Sequence, residues 1–230
     1  MNICLIPARG GSKRIPEKNI KEFCGKPIIA YPIQAAIESK CFSKVFVSTD
    51  SIQIASIAES YGAEVPSIRS LGNSNDDSTL HDVAVECINT FMLNDSSIYI
   101  TMILPTALFV TAELIKEFVN FYSNDEYDSH ITVVEYEVSP NKALIIDNQG
   151  YLSKINEKKL RQRSQDMKKF YHDAGQIYGF RANEVANRYS LIGHKCKPFV
   201  ISKYRNQDID EIYDWQMAEL KYELLRKKNG

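Results

Sequence analysis

The chain of 230 residues carries 28 Lys and Arg against 29 Asp and Glu, a formal net charge of −1. Its length suits one α/β domain with at most a small appendage, and the balance of charge excludes the broad basic field of a nucleic-acid or membrane-surface binder. No segment approaches the ~20 apolar residues of a membrane span. Five scattered cysteines form no C-x-x-C pair, so a cytoplasmic protein with reduced thiols is expected, not a disulfide scaffold or a zinc site.

In chain order, the apolar run Asn2–Ile6 predicts a buried strand. It leads at once into "PARGGSKRIPEKN". Gly10 and Gly11 can take backbone conformations closed to other residues, and their N–H groups can cradle an anion. Arg9, Lys13, Arg14 and Lys18 surround them with charge and donors. Neither a Walker A loop nor G-x-G-x-x-G is present, which leaves an anion site of another kind or a solvated basic loop.

Helical spacing follows over Ile29–Ile37, then a strand over Lys44–Ser48 ending in "STD", where Asp50 either reaches a crevice or caps the helix Ser51–Tyr61. A short strand is expected at Ala63–Val65, helices at Asp82–Phe91 and Ala112–Tyr122, and strands at Ile98–Leu104 and His130–Tyr136. This alternation predicts a Rossmann-like α/β fold, a mainly parallel sheet with helices on both faces and ligands at the carboxyl ends of the strands.

From about 139 to 169 the texture changes to a hairpin around "DNQG" and a charged, turn-like stretch, an excursion from the sheet. Strand pattern resumes in "DAGQIYGF" and "PFVISKY" before a final helix, Ile212–Lys227, that presents Trp215, Ala218, Tyr222 and Leu225. Just ahead of that helix Asp208 and Asp210 lie two residues apart. In an extended segment both carboxylates point the same way and can meet one hard cation; the other reading is a helix cap.

"IPARGGSKRIPEKNIKEFCGKPIIAYPI", with "VFVSTD", "ASIAESYGAEVPSIR" and "DDST", resembles the cytidylyltransferases that activate eight- and nine-carbon acidic sugars, enzymes of the nucleotide-diphospho-sugar transferase fold. "FYHDAGQIYGF" and "PTALF" are similar to the branch that activates pseudaminic acid, and Leu104 stands where sialic acid enzymes place Gln. The resemblance implies transfer of the cytidylyl group of CTP to the anomeric hydroxyl of an acidic nonulosonic sugar, releasing pyrophosphate. Sialic or legionaminic acid as substrate, or a nucleotide-sugar binder without turnover, are the alternatives.

By the same resemblance Ala8, Arg9, Gly10, Gly11, Ser12, Lys18 and Asn19 hold the nucleotide, with Arg69 and Asp77 nearby or, alternatively, in surface ion pairs. Lys18 steadies charge on the transferring phosphate, and Asp208 and Asp210 hold Mg2+, which makes these three the expected catalytic groups. Thr106, Gln176 and Tyr178 are expected at the sugar, Tyr178 alternatively in the core. The excursion at about 139–169 is the expected dimerisation insertion of a homodimer, with Arg161 and Arg163 reaching the partner's site or forming a solvated turn.

Overall fold

The computed structural model describes residues 1–70, 78–121, 127–155, 163, 167–185 and 187–229. β1 (Asn2–Pro7) is buried from Ile3 onward, as a strand covered on both faces must be. Its side chains alternate: Ile3 and Leu5 join one core cluster, Cys4 and Ile6 the cluster on the opposite face.

A small hairpin, β2 (Glu22–Phe23) with β3 (Lys26–Pro27), precedes helix α1 (Ala30–Ser39). It was not expected from sequence. It turns through Cys24 and Gly25 at φ 45° and 96°, the left-handed pair that a two-residue turn of this kind demands. β4 (Lys44–Ser48) leads to α2 (Ile52–Ser60), capped by the Ser51 side chain, which accepts from the Ile54 amide. α3 (Leu80–Thr90) opens on a reciprocal capping box between Thr79 and Asp82.

β5 (Tyr99–Ile103), α4 (Ala112–Asn120) and β6 (Ser129–Glu135) complete the alternating part. The excursion contains the expected hairpin, β7 (Leu144–Ile146) with β8 (Leu152–Lys154). The chain returns through β9 (Tyr171–Arg181) and β10 (Cys196–Val200) and closes with the C-terminal helix Ile212–Asn229.

The main sheet runs β10-β6-β9-β5-β1-β4, an α/β architecture in which β9 alone is antiparallel to its neighbours. Reversed in this way, β9 brings its amino end to the edge where the other strands end. One expected strand is corrected: Ala63–Val65 makes a single bridge, Glu64 to Phe46, because Gly62 at φ 93° and Pro66 leave too short a span for a ladder.

β9 carries a wide bulge. Ile131 pairs with Tyr178 and Val133 with Asp173, so Ala174, Gly175, Gln176 and Ile177 all face Thr132. Gly175 turns it at φ 61°. The Thr132 hydroxyl accepts from the Ile177 amide at 3.0 Å and donates to the Ile177 carbonyl at 3.2 Å. Asp173 accepts from the Gly175 amide and from the Tyr178 hydroxyl, each at 2.8 Å. The D-A-G-Q-x-Y spacing is thus the wiring of a bulge.

A third cluster seats the C-terminal helix. Trp215 and Ala218 pack with Ile15, Phe23, Tyr31 and Ile209, and Tyr222 and Leu225 flank them, the face expected from sequence. The Phe23 ring meets Tyr31, Trp215 and Tyr222 edge-on, with centroids 5.4–5.7 Å away. Ile15 and Ile209 are lone apolar residues among charges, and burying both in one cluster ties the loop after β1 to the segment before this helix.

Candidate active site

A cleft of about 340 Å³ opens at the carboxyl edge of the sheet. Its walls bring together residues far apart in sequence: Arg9, Ser12, Lys18 and Asn19 from the loop after β1, then Arg69, Thr106, and the pair Asp208 and Asp210. This is the edge at which a mainly parallel α/β sheet gathers its ligands.

The loop is shaped by specific bonds. The Gly10 amide donates to Asp50 Oδ1 at 2.7 Å, Asn19 Nδ2 to the Arg9 carbonyl at 2.8 Å, and the Ala8 amide to the Ser48 carbonyl at 2.8 Å. Two expectations change here. Neither Gly10 nor Gly11 adopts the left-handed conformation, and a methyl on Gly10 would stand 3.2 Å from Ser51 Cβ, so Gly10 serves the close approach of two loops. Its amide is engaged by Asp50 and does not point at an anion. Asp50 accordingly takes neither expected role, since Ser51 caps α2 and Asp50 pins the glycine turn.

Lys18 Nζ donates to the Ile209 carbonyl at 2.5 Å and stands 3.8 Å from Asp210 Oδ1. Burial lowers the Lys18 pKa, against the opposing pull of Asp210 and Asp208. Arg14 Nη2 donates to the same Asp210 oxygen at 2.7 Å. Burial raises the Asp208 pKa, and the neighbouring Asp210 charge adds to the effect. Asp214, in the first turn of the C-terminal helix, reaches back with Oδ2 to accept the amides of Asp210 and Glu211 at 3.0 and 2.8 Å, as the inner residue of a capping box does. Asp208 and Asp210 both line the cleft, where the reading as a cation pair puts them.

Two carboxylates and no third protein ligand suit a cation that keeps waters and takes phosphate oxygens, as Mg2+ does. Among the described residues no group of three or more His, Cys, Asp or Glu gathers into a closed metal site. Arg69 forms another wall. It is 7% exposed, its Nε has no hydrogen-bond partner among the described residues, and burial lowers its pKa against the pull of Asp50. A buried donor left open at a cleft wall fits an anionic or carbonyl ligand.

Residues 3–223 match the sequence profile described as cytidylyltransferase. The chain belongs to the cytidylyltransferase family. It is 31% identical over 225 residues to a pseudaminic acid cytidylyltransferase of Campylobacter jejuni, covering 97% of each chain. It is 33% identical over 230 residues to CMP-N,N'-diacetyllegionaminic acid synthase of Legionella pneumophila, covering 96% of each. Its fold superimposes on CMP:2-keto-3-deoxy-manno-octonic acid synthetase, solved with CTP, with a TM-score of 0.70 at 14% identity, over 98% of this chain and 99% of that one.

Not every expected residue of this cytidylyltransferase reaches the cleft wall. Ala8 is fully buried, and neither Gly10 nor the exposed Gly11 is among the residues that line the cleft. Gln176, 3% exposed, does not line it either: Nε2 donates to the Arg205 carbonyl at 2.7 Å and to Asn206 Oδ1 at 3.0 Å, while Oε1 has no partner among the described residues. Gln176 thus fastens the segment leading into Asp208. Tyr178 is buried, its hydroxyl engaged by Asp173. Asp77 and Arg161 lie outside the described residues, and Arg163 is exposed.

The cytidylyltransferase cleft also has walls that lie in the quoted motifs but were given no site role from sequence: Arg14 in the opening loop, Ser78 and Thr79 in "DDST", and Pro105 in "PTALF". For Thr79 a signal existed in the T-x-x-D spacing, which starts α3 with its amino end at the cleft. For Arg14 it was only one cation among four. Among the described residues no helix is long and apolar enough to cross a membrane.

Proposed function

We propose that this chain transfers the cytidylyl group of CTP to the anomeric hydroxyl of pseudaminic acid, giving CMP-pseudaminic acid and pyrophosphate. The observation that carries the reading is the meeting of Lys18 with the Asp208 and Asp210 pair in one cleft, in a chain whose relatives named for this reaction match 97% of its length. The anomeric oxygen bonds to the α-phosphorus, the α–β bridging P–O bond breaks, and pyrophosphate leaves with its electron pair while the hydroxyl proton is released.

Such a displacement asks the protein for position and charge, not for a covalent nucleophile. Arg9, Ser12 and Asn19 hold the nucleotide beside Arg69, whose open Nε–H suits a nucleotide acceptor. Lys18, anchored on the Ile209 carbonyl, keeps its ammonium where charge builds on the transferring phosphate. Asp208 and Asp210 would hold Mg2+, which neutralises phosphate charge and acidifies a coordinated hydroxyl or water.

Thr106 stands at the sugar side of the cleft, in the turn that begins where the Leu104 amide donates to the Gln176 carbonyl at 2.9 Å. The β9 bulge therefore sets that turn. We assign Gln176 and Tyr178 to sugar choice through it. The working unit is a homodimer formed over the insertion at about 139–169. In support, Leu144, Ile145, Ile146 and Leu152 on the β7–β8 hairpin are each at least half exposed, an apolar surface suited to a second copy.

Pyrophosphate release with CTP, Mg2+ and each of pseudaminic, legionaminic and N-acetylneuraminic acid tests the proposal. The largest kcat/KM is expected for pseudaminic acid. A larger value for legionaminic acid, the sugar in the name of the 33% identical relative, would move the assignment there. No release with any of the three would leave a nucleotide-sugar binder.

A further inference from the structure

Asp208 and Asp210 place two like charges in one cleft, and two cations reach Asp210. They differ in how they are held. Lys18 is 22% exposed at its side chain and hydrogen-bonded to the Ile209 carbonyl, so its ammonium stays whether or not Asp210 is engaged. Arg14 is 62% exposed, and its guanidinium reaches Asp210 Oδ1 at 2.7 Å from a loop position next to the buried Ile15. Its neighbour Ile15 is buried while its own side chain is largely exposed, so exchanging Asp210 for another anion costs little.

We infer that Arg14 is a placeholder cation: it pairs with Asp210 until a divalent ion arrives, then turns to the nucleotide's phosphates. The inference rests on the reading of Asp208 and Asp210 as the metal pair. A divalent ion bound to Asp210 at ~2.1 Å would lie within about 5 Å of a guanidinium on the same oxygen, and the two charges repel. An ion pair this exposed is cheap to break. Arg14 also lines the cleft, and a guanidinium released there meets phosphate oxygens with its planar fork. Each event then favours the other, so divalent ion and nucleotide bind cooperatively through one side chain.

Mn2+ binding to the nucleotide-free protein, read as the loss of the free-ion electron paramagnetic resonance signal, tests this. Arg14→Gln is expected to bind Mn2+ about two- to fivefold more tightly than the parent, the range an exposed ion pair is worth. The gain in CTP affinity that Mn2+ confers should shrink by a similar factor, and Arg14→Lys should stay nearer the parent in both. Equal or weaker Mn2+ binding by Arg14→Gln would overturn the inference. Asp208→Asn and Asp210→Asn separate the two readings: if neither weakens Mn2+ binding, the metal assignment itself fails; if both do while Arg14→Gln changes nothing, the placeholder role alone fails.

Discussion

Ile209 offers the sharpest test of how the cleft is assembled. It is 0% exposed, stands between Asp208 and Asp210, and shares its cluster with Ile15, Phe23 and Trp215. Truncation to Ala removes three buried carbons, a change that costs about 2–5 kcal/mol in well-packed cores. The aromatic walls around it collapse poorly into a void, which places the expected loss at about 3–4 kcal/mol, or roughly 10 °C in Tm for a chain of this length. Urea unfolding at constant m-value measures it. Kinetics should move as well, because the carbonyl that anchors Lys18 belongs to Ile209. At a temperature where both variants are folded, Ile209→Ala should lose at least about tenfold in kcat, as a 1 Å misplacement of catalytic groups can. Ile33→Ala, equally buried but in a different cluster, should lose comparable stability with little change in kcat. A loss below about 1 kcal/mol for Ile209→Ala, or the same kcat penalty in both variants, would refute the idea that this cluster positions the carboxylates.

Three further outcomes are expected. Lys18→Ala should depress kcat far more than it raises the KM for CTP, as steady-state kinetics would show, because its ammonium is assigned to charge that develops during transfer; a change confined to KM makes it a binding residue. Tyr178→Phe removes the hydroxyl that donates to Asp173 and should cost about 1–2 kcal/mol in denaturant melts while relaxing discrimination among acidic sugars; intact stability and selectivity would remove the bulge from sugar choice. His130 is buried with Nδ1 2.6 Å from the Tyr99 hydroxyl and Nε2 3.1 Å from the Phe118 carbonyl, and burial pushes its pKa down to about 4. The unfolded chain therefore takes up this proton first as pH falls below about 6.5, and roughly 3 kcal/mol of stability, fully present above that pH, drains away as pH approaches 4. Nitrogen-15 imidazole shifts should show His130 neutral at pH 5.5, and protonation above pH 6 in the folded protein would contradict this.

The legible parts of the fold are those whose signals are local. A continuous apolar run made β1 readable, glycines and cations marked the loop that follows, and a separation of two residues put Asp208 and Asp210 on the same side of an extended segment. The apolar spacing of the C-terminal helix named the face that packs. Gln176 and Tyr178 were flagged as polar groups in a strand, yet the bulge that holds Gln176 and leads into Tyr178 depends on Thr132, 44 residues before Gln176. The role of Gly10 was invisible for the same reason: it answers to Ser51, on a neighbouring strand's loop.

By itself, then, the sequence determined most of the strands and helices of the main sheet, that a glycine- and cation-rich loop follows the first strand, and that a carboxylate pair precedes the last helix. Tertiary structure alone decided that β9 runs backwards through the sheet, that Asp50 and Asp214 serve as props while Asp208 and Asp210 face the cleft, and that Arg14 meets Asp210 across 196 positions. Secondary structure and turn chemistry are set by neighbours a few residues away. Strand direction, and the choice of partner for a charge, are settled by whatever packing brings from the rest of the chain.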